Sequence, residues 1–147
     1  MDIIVDIDGT IADCTHRLHF IKEKPRNFKK FMEGIPDDDP INPMVSLLKI
    51  IVDSRTQTPR LIYVTGRSEE YREQTIKWLN DQQLWVRNLF MRKKGDYRPD
   101  FEVKRDLLKD IRDKGYFPVL AFEDRDRCVE MYRNHGLICC QPAKGDY

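Results

Sequence analysis

The opening stretch, residues 1–13, constrains this chain more than any other. The β-branched residues 3–5 predict a short buried strand, and two carboxylates, Asp6 and Asp8, follow it directly. Strand residues two apart point the same way, so both carboxylates can address one target until Gly9 lets the backbone turn. Close carboxylates repel unless a cation or a shared proton compensates, which indicates a metal or divided acid and base roles. A turn or helix cap after a strand is the other interpretation.

Apolar runs that predict strands alternate with amphipathic stretches that predict helices along the rest of the chain. Further strands are predicted at residues 60–65, 88–91, 117–122 and 136–140, and helices at 44–52, 68–79, 100–115 and 126–134. Residues 14–40, rich in charge and aromatics, predict a small helical insertion after the first strand. This order is typical of an α/β doubly wound, Rossmann-like parallel sheet of about five strands with helices on both faces. We expect a single domain over residues 1–147 that includes the insertion.

In such a sheet, ligands bind beyond the carboxyl ends of the strands. The second strand delivers Thr65, Gly66 and Arg67 there: a hydroxyl, a glycine that admits close approach, and a guanidinium. We expect them to open a helix whose N-terminal amides favour an anion. A capped turn with a surface arginine is the alternative interpretation of the same three residues.

The fourth strand delivers two adjacent carboxylates, Glu123 and Asp124, directly after its apolar run. One of them together with Asp6 would form the oxygen-rich, partly hydrated site that Mg²⁺ prefers. A solvated turn whose charges are matched by neighbouring arginines is the other interpretation. Convergence with the opening motif favours the metal site.

The run from Asp6 to Thr10, Asp-Ile-Asp-Gly-Thr, resembles the first motif of the haloacid dehalogenase-like phosphohydrolases. In that family, a Ser or Thr after the second strand, a Lys on a later helix and an acidic cluster after the fourth strand follow in this order. The matching positions here are Asp6, Asp8, Thr65, Lys104 and Asp124. Lys104 follows Asp100, the expected helix cap, and alone would be read as a surface lysine. Glu123 stands where many members have Asp, which leaves its role open.

The resemblance implies a Mg²⁺-dependent phosphomonoesterase that works through an aspartyl phosphate. Asp6 would be the nucleophile, and Asp8 would donate and then accept a proton, which requires a raised pKa. The metal would be held by Asp6, the backbone carbonyl of Asp8, and Asp124, while Thr65 and Lys104 hold the phosphoryl oxygens. The residues expected to touch the rest of the substrate are Gly66, Arg67, Asp96 and Arg98.

Four segments narrow the resemblance to the 3′-phosphatase domain of phage polynucleotide kinases: residues 41–44, 95–100, 123–132 and 141–147. This implies a polynucleotide or nucleotide 3′-phosphatase whose substrate is a phosphorylated nucleotide or nucleic-acid end. The chain contains no Gly-x-x-x-x-Gly-Lys-Ser/Thr P-loop, so kinase activity is not expected from it. A separate kinase or ligase is a candidate partner, which the sequence alone does not identify. A 5′(3′)-nucleotidase and a non-catalytic phosphate-sensing subunit are the alternatives.

Two segments bear on substrate choice. In the insertion, one interpretation of His16, Arg17 and Phe20 is that they stack on a base or contact a phosphate of the substrate. The other is that they pack within the protein, and packing is favoured. The loop at residues 92–98 carries Arg92, Lys93, Lys94 and Arg98 with a tyrosine, the ingredients of single-strand binding.

Charge and cysteine content exclude several classes. Lys and Arg number 26 against 25 Asp and Glu, so the net charge of +1 provides no global field and an anionic substrate must be held locally. No secretion signal or long apolar run is present, which favours a cytoplasmic protein without membrane attachment. The four cysteines lack the paired spacing of a zinc site and are expected to be free thiols.

Overall fold

A central five-stranded parallel sheet organises the computed structural model, which describes residues 1–53 and 59–145. The strands are β1 Asp2–Val5, β2 Ala12–Asp13, β3 Asp39–Pro40, β4 Arg60–Ser68, β5 Leu89–Arg92, β6 Pro118–Phe122 and β7 Ile138–Cys140. The α-helices are α1 His19–Lys22, α2 Phe28–Glu33, α3 Asn42–Asp53, α4 Arg72–Asp81, α5 Asp100–Asp113 and α6 Asp126–Asn134, with 3₁₀ turns at Thr15–Arg17, Ile35–Asp37 and Glu69–Tyr71. The predicted α/β class and parallel sheet are confirmed.

The strand order β5-β4-β1-β6-β7 places β1 at the centre, paired in parallel with β4 on one side and β6 on the other. The chain first builds outward from β1 through β4 to β5 and then crosses to β6 and β7. Strand order therefore reverses beside β1, where a doubly wound sheet opens its ligand crevice. The residues after β1, β4 and β6 lie at that edge.

Side chains of β1 alternate between two cores, as a strand buried on both faces requires. Ile3 and Val5 pack with residues of α3 and α4, such as Leu48 and Trp78. Ile4 packs on the other face with residues of α5 and α6. The amphipathic period of α5 places Val103, Leu107, Leu108 and Ile111 in this second core, as the sequence predicts.

The insertion begins and ends at the short antiparallel pair of β2 and β3, where Ala12 lies opposite Pro40. Its helices α1 and α2 are only four and six residues long. The indole Nε1 of Trp78 on α4 donates to the backbone carbonyl of Asp38 at 2.8 Å, which fastens the end of the insertion to the main body. Short helices of this kind depend on tertiary contacts for their stability.

The helix predicted from residue 68 begins there as the 3₁₀ turn Glu69–Tyr71, which the Ser68 side chain caps and which leads into α4. Two other expectations about helix starts are wrong. Strand β4 continues to Ser68 and α4 begins only at Arg72, so Gly66 and Arg67 do not open a helix. The register against β5 shifts between Thr65 and Ser68, which lets the strand run past the predicted turn. Helix α5 has Pro99 at its N-cap position, and the carboxylate of Asp100 points to side-chain cations instead of capping the helix.

All four cysteines are free thiols, as predicted. Among the described residues, no helix has the length and apolar character needed to cross a membrane. The cytoplasmic location stays a prediction. The last two residues of the segment 141–147, which contributed to the family resemblance, lie outside the described residues.

Candidate active site

A cleft of about 640 Å³ opens at the carboxyl ends of β1 and β4, beneath the insertion. Eight of the predicted site residues line it: Asp6, Asp8, Thr65, Gly66, Arg67, Asp96, Arg98 and Lys104. Asp124 is buried behind Asp6, and the Thr10 hydroxyl lies between these two carboxylates at 3.2 and 3.5 Å. The fold thus brings residues from distant parts of the chain to one edge of the sheet.

Lys104 is tied directly to the predicted nucleophile. Its ammonium donates to Asp6 Oδ1 at 2.7 Å and to Glu123 Oε2 at 2.8 Å, and it lies 3.0 Å from Asp100 Oδ2. The side chain is 1% exposed, so the interpretation of a surface lysine does not hold. Burial disfavours its charge, but the three carboxylates outweigh burial and raise the pKa of Lys104 well above its usual range. Lys104 is therefore a fixed positive charge at the base of the cleft.

Three buried carboxylates, Asp6, Glu123 and Asp124, can each offer an oxygen within 4.8 Å of the others. Burial and the charge of Glu123 raise the pKa of Asp6 well above its ordinary value, against the opposing charge of Lys104. Burial likewise raises the pKa of Glu123 to about 7. A buried set of carboxylates that resists ionisation without more positive charge fits a divalent cation with oxygen preference. This set includes Glu123, whose role the sequence left open.

Asp8 lies in the opposite electrostatic surroundings. Its Oδ1 accepts from Nη2 of Arg17 and Nη2 of Arg67, both at 2.6 Å, and its Oδ2 accepts from Nε of Arg67 at 3.0 Å. Burial alone would raise the pKa of Asp8, but the charges of Arg67 and Arg17 and their hydrogen bonds hold it far below the usual range. The expected raised pKa of Asp8 is wrong for the free protein, because two arginines that are far apart in the sequence meet at its carboxylate.

A second carboxylate, Asp38 of the insertion, completes this group. Its Oδ1 accepts from Arg17 Nε at 2.6 Å and lies 3.0 Å from His16 Nε2. Its Oδ2 accepts from Nη2 of Arg17 at 2.6 Å and Nη2 of Arg67 at 2.9 Å. The two guanidinium groups are completely buried and lie between two carboxylates. Burial of this kind is sustained only when every charge is paired and hydrogen-bonded.

A side chain at position 66 is excluded by sterics, which is a separate reason for Gly66 from its expected contact with an anion. A Cβ at this position would overlap the Asp100 carboxylate. Asp100 is held there by Arg92 at 3.0 Å as well as by Lys104. Gly66 thus allows the acid that supports Lys104 to come against β4, and Thr65 beside it is fully buried with its Oγ1 accepting from the Arg67 amide at 3.2 Å.

The residues expected to reach the rest of the substrate are largely engaged within the protein. Arg67 serves Asp8 and Asp38, and Arg98 binds Asp96 at 2.7 Å and Asp106 at 2.8 Å. In the basic loop, the Arg92 side chain donates to the carbonyls of Gly66, Asp96 and Arg98, and Lys94 pairs with Glu70 at 2.8 Å. Lys93 forms no side-chain ion pair with any residue that the structure describes. The loop is therefore much less cationic towards a ligand than its composition suggests.

Sequence reasoning missed the roles of Arg17, Asp38 and Asp100. Arg17 was favoured as packing, and it does lie 4.1 Å over the Phe31 ring, but its guanidinium also reaches Asp8. Asp38 is the middle one of three consecutive aspartates, and no periodicity separates it from its exposed neighbours. The only local sign for Asp100 is its position one helical turn before Lys104.

The family model for the polynucleotide kinase PNKP phosphatase domain matches residues 1–147. Two structures of Pnkp1/Rnl/Hen1 complexes, one described as an RNA repair complex, are similar at 28% and 29% identity with TM-scores of 0.78 and 0.80. Each similarity covers 99% of this chain. This chain spans less than half of the two longer chains, 43% and 47% of their lengths. A class C acid phosphatase from Bacillus anthracis shares the fold at 14% identity and a TM-score of 0.67, over 99% of this chain and 67% of its own.

Proposed function

The chain belongs to the polynucleotide kinase PNKP phosphatase domain family and is a phosphoric monoester hydrolase by class; on that premise we propose that it is a Mg²⁺-dependent 3′-phosphatase of nucleotides or nucleic-acid ends. The observation that carries the proposal is the contact of Lys104 with Asp6 at 2.7 Å, at the base of a cleft far larger than a phosphate. An aspartyl phosphate on Asp6 is the proposed intermediate.

Asp6 forms the new bond. Its carboxylate oxygen attacks phosphorus while the bond between phosphorus and the sugar oxygen breaks, so one difficult displacement becomes two easier ones. Lys104 neutralises charge on the phosphoryl oxygens and on Asp6, and the Thr65 hydroxyl offers a further donor on the cleft lining. Both groups are buried and preorganised, which makes them more effective than the same groups in water.

Asp8 transfers a proton in each of the two steps. Because Arg17 and Arg67 keep it ionised in the free protein, the first proton must arrive with the substrate, whose phosphate has a second pKa of about 6. Asp8 passes that proton to the departing sugar oxygen and is left as a carboxylate. In the second step it takes a proton from water as the water attacks phosphorus and the bond to Asp6 breaks. An ionised Asp8 suits this second step directly.

Asp6, Glu123 and Asp124 are the proposed metal ligands, together with the backbone carbonyl of Asp8. A bound Mg²⁺ would supply charge neutralisation for the phosphoryl group and for these carboxylates. The support for it is the buried carboxylate set with its raised pKa values.

Removal of a 3′-phosphate leaves a 3′-hydroxyl, which is the end that a ligase joins. The similar chains of known structure occur in Pnkp1/Rnl/Hen1 complexes. We extend to this chain only the proposal that a separate kinase or ligase acts on the same ends.

The test is a substrate panel with Mg²⁺ and with EDTA. It compares a 3′-phosphorylated oligonucleotide with 3′- and 5′-mononucleotides and measures phosphate release. We expect the 3′-phosphates to react fastest and EDTA to abolish release. A preference of tenfold in kcat/KM for 5′-mononucleotides, about 1.4 kcal/mol, would replace this proposal with the nucleotidase alternative.

A further inference from the structure

Two large aromatic side chains line the active-site cleft and yet remain exposed. Phe28, at the start of α2 in the insertion, is 51% exposed, and Tyr97, in the loop after β5, is 89% exposed. They come from two segments that are otherwise separate in the fold. Other exposed aromatics, Trp85 and Phe117, do not line this cleft. The protein itself leaves the rings of Phe28 and Tyr97 exposed, so a ligand in the cleft would cover them.

Two cations on the lining of the same cleft are uncommitted. The side chains of Arg26 and Lys93 form no ion pair or hydrogen bond with any residue in 1–53 or 59–145. Their neighbours differ, since Lys29 pairs with Glu33 and Lys94 pairs with Glu70. The cleft therefore presents two aromatic faces and two available positive charges beyond its catalytic base.

The volume of the cleft points the same way. About 640 Å³ lies within the range of roughly 300–1,000 Å³ that sites for whole small molecules occupy. A phosphoryl group at Asp6 fills only a small part of it. Aromatic faces with cations are the combination that binds single-stranded nucleic acid through base stacking and phosphate contact.

We propose that Phe28 and Tyr97 form a stacking site for the terminal nucleobase of the substrate, and that Arg26 and Lys93 bind the next phosphate along the strand. This rests on the proposed 3′-phosphatase function and specifies its substrate as a single-stranded end of two or more nucleotides. Because the two cations neutralise one phosphate, this contact adds a slope of only about −0.7 to the dependence of the logarithm of affinity on the logarithm of salt concentration. Strands longer than two or three nucleotides gain little.

The experiment compares a 3′-phosphorylated dinucleotide with the same molecule lacking its terminal base, and the readout is the ratio of their kcat/KM values. We expect a ratio of about ten in the wild type, falling towards one in Phe28→Ala and in Tyr97→Ala, with Tyr97→Phe retaining it. The controls are Trp85→Ala and Phe117→Ala, which change exposed aromatics outside the cleft and should keep the ratio of the wild type. Lys93→Ala should raise KM for the dinucleotide and reduce its salt dependence, with Lys94→Ala as its control.

The outcomes separate this inference from the function on which it rests. The wild type could remove the phosphate at equal rates from the dinucleotide with its terminal base and from the one without it, or the ratio could stay unchanged in both alanine variants. Either result overturns the stacking site and leaves the proposed 3′-phosphatase function standing. A wild-type protein that prefers 5′-phosphates overturns the proposed function, and the stacking site with it.

Discussion

The two aspartates of the opening motif lie two residues apart and experience opposite electrostatic surroundings. Asp6 belongs to what we call the acid cluster, Asp6, Asp100, Glu123 and Asp124 around the single ammonium of Lys104. Asp8 belongs to the arginine pair, in which Arg17 and Arg67 lie between Asp8 and Asp38. Both carboxylates are largely enclosed, with the Asp6 side chain 5% and the Asp8 side chain 16% exposed, and the main difference is in the charges that each one faces.

This difference assigns chemistry that the motif alone leaves symmetrical. The acid cluster has an excess of negative charge, raises the pKa values of Asp6 and Glu123, and calls for a further cation. The arginine pair is balanced and keeps Asp8 ionised. Asp6 is thus suited to bond formation beside a metal, and Asp8 to proton transfer.

The largest expected effect is that of Asp6→Asn. It removes the proposed nucleophile and one proposed metal ligand but keeps the shape of the side chain. We expect kcat/KM to fall by on the order of 10⁴ or more, about 5.5 kcal/mol, with a cooperative unfolding transition retained. The control is Asp2→Asn, a buried carboxylate at the other end of the same strand, paired with Arg60, which should lower stability and leave kcat near that of the wild type. Near-normal turnover in folded Asp6→Asn would reject the assignment.

Asp8→Asn should cost about 10³-fold on a 3′-nucleotide, because a positioned proton donor and acceptor is lost. The loss should shrink on p-nitrophenyl phosphate, whose phenolate leaves without a proton. On that substrate the first step proceeds and the second is slow, so a burst of nitrophenol should precede the steady state. An equal loss on both substrates with no burst would mean that Asp8 is not the proton donor.

The sequence predicted most of the fold and brought Asp6, Lys104 and Asp124 of the acid cluster together, but it predicted neither the role of Asp100 nor the arginine pair. Strand and helix periods are local properties, and the carboxyl ends of parallel strands meet by topology, so Asp6, Thr65 and Asp124 could be placed together. Arg17 and Asp38 lie in a short, irregular insertion whose side-chain directions depend on tertiary contacts that no period encodes. The expected pKa of Asp8 failed for that reason.

Stability should respond to pH through Glu123 in the metal-free protein. Its pKa is raised from 4.5 to about 7, so its protonated form stabilises the fold below pH 4.5 and this contribution, up to about 3 kcal/mol, is lost as pH rises through 7. Asp8 acts in the opposite direction, because its lowered pKa contributes stability that is lost only in acid. Urea unfolding in EDTA between pH 4.5 and 8 should show a larger loss in the wild type than in Glu123→Gln, which keeps only the contribution of Asp6, whose pKa is also raised.

Glu130→Gln, an exposed carboxylate change on α6, is the matched control and should keep the slope of the wild type. Added Mg²⁺ should restore stability at pH 8 by binding the ionised acid cluster. Identical pH slopes for the wild type and Glu123→Gln would contradict this account of the acid cluster.

The smallest effect is expected for Asp38→Asn. It keeps an oxygen acceptor but removes the second negative charge between Arg17 and Arg67, so both guanidinium groups should bind Asp8 less rigidly. We expect about a tenfold fall in kcat and a lower Tm, whereas Asp39→Asn, its exposed neighbour in the chain, should match the wild type. A wild-type kcat in Asp38→Asn would show that the arginine pair is held by Asp8 alone.

The most direct test of the difference between the two aspartates is to trap the covalent intermediate. During steady-state turnover of a 3′-phosphorylated oligonucleotide with Mg²⁺, borohydride reduces an aspartyl phosphate to homoserine, which mass spectrometry locates in the sequence. We expect homoserine at position 6 and an unchanged aspartate at position 8. Homoserine at position 8, or an unmodified Asp6 in protein that is releasing phosphate under these conditions, would contradict it.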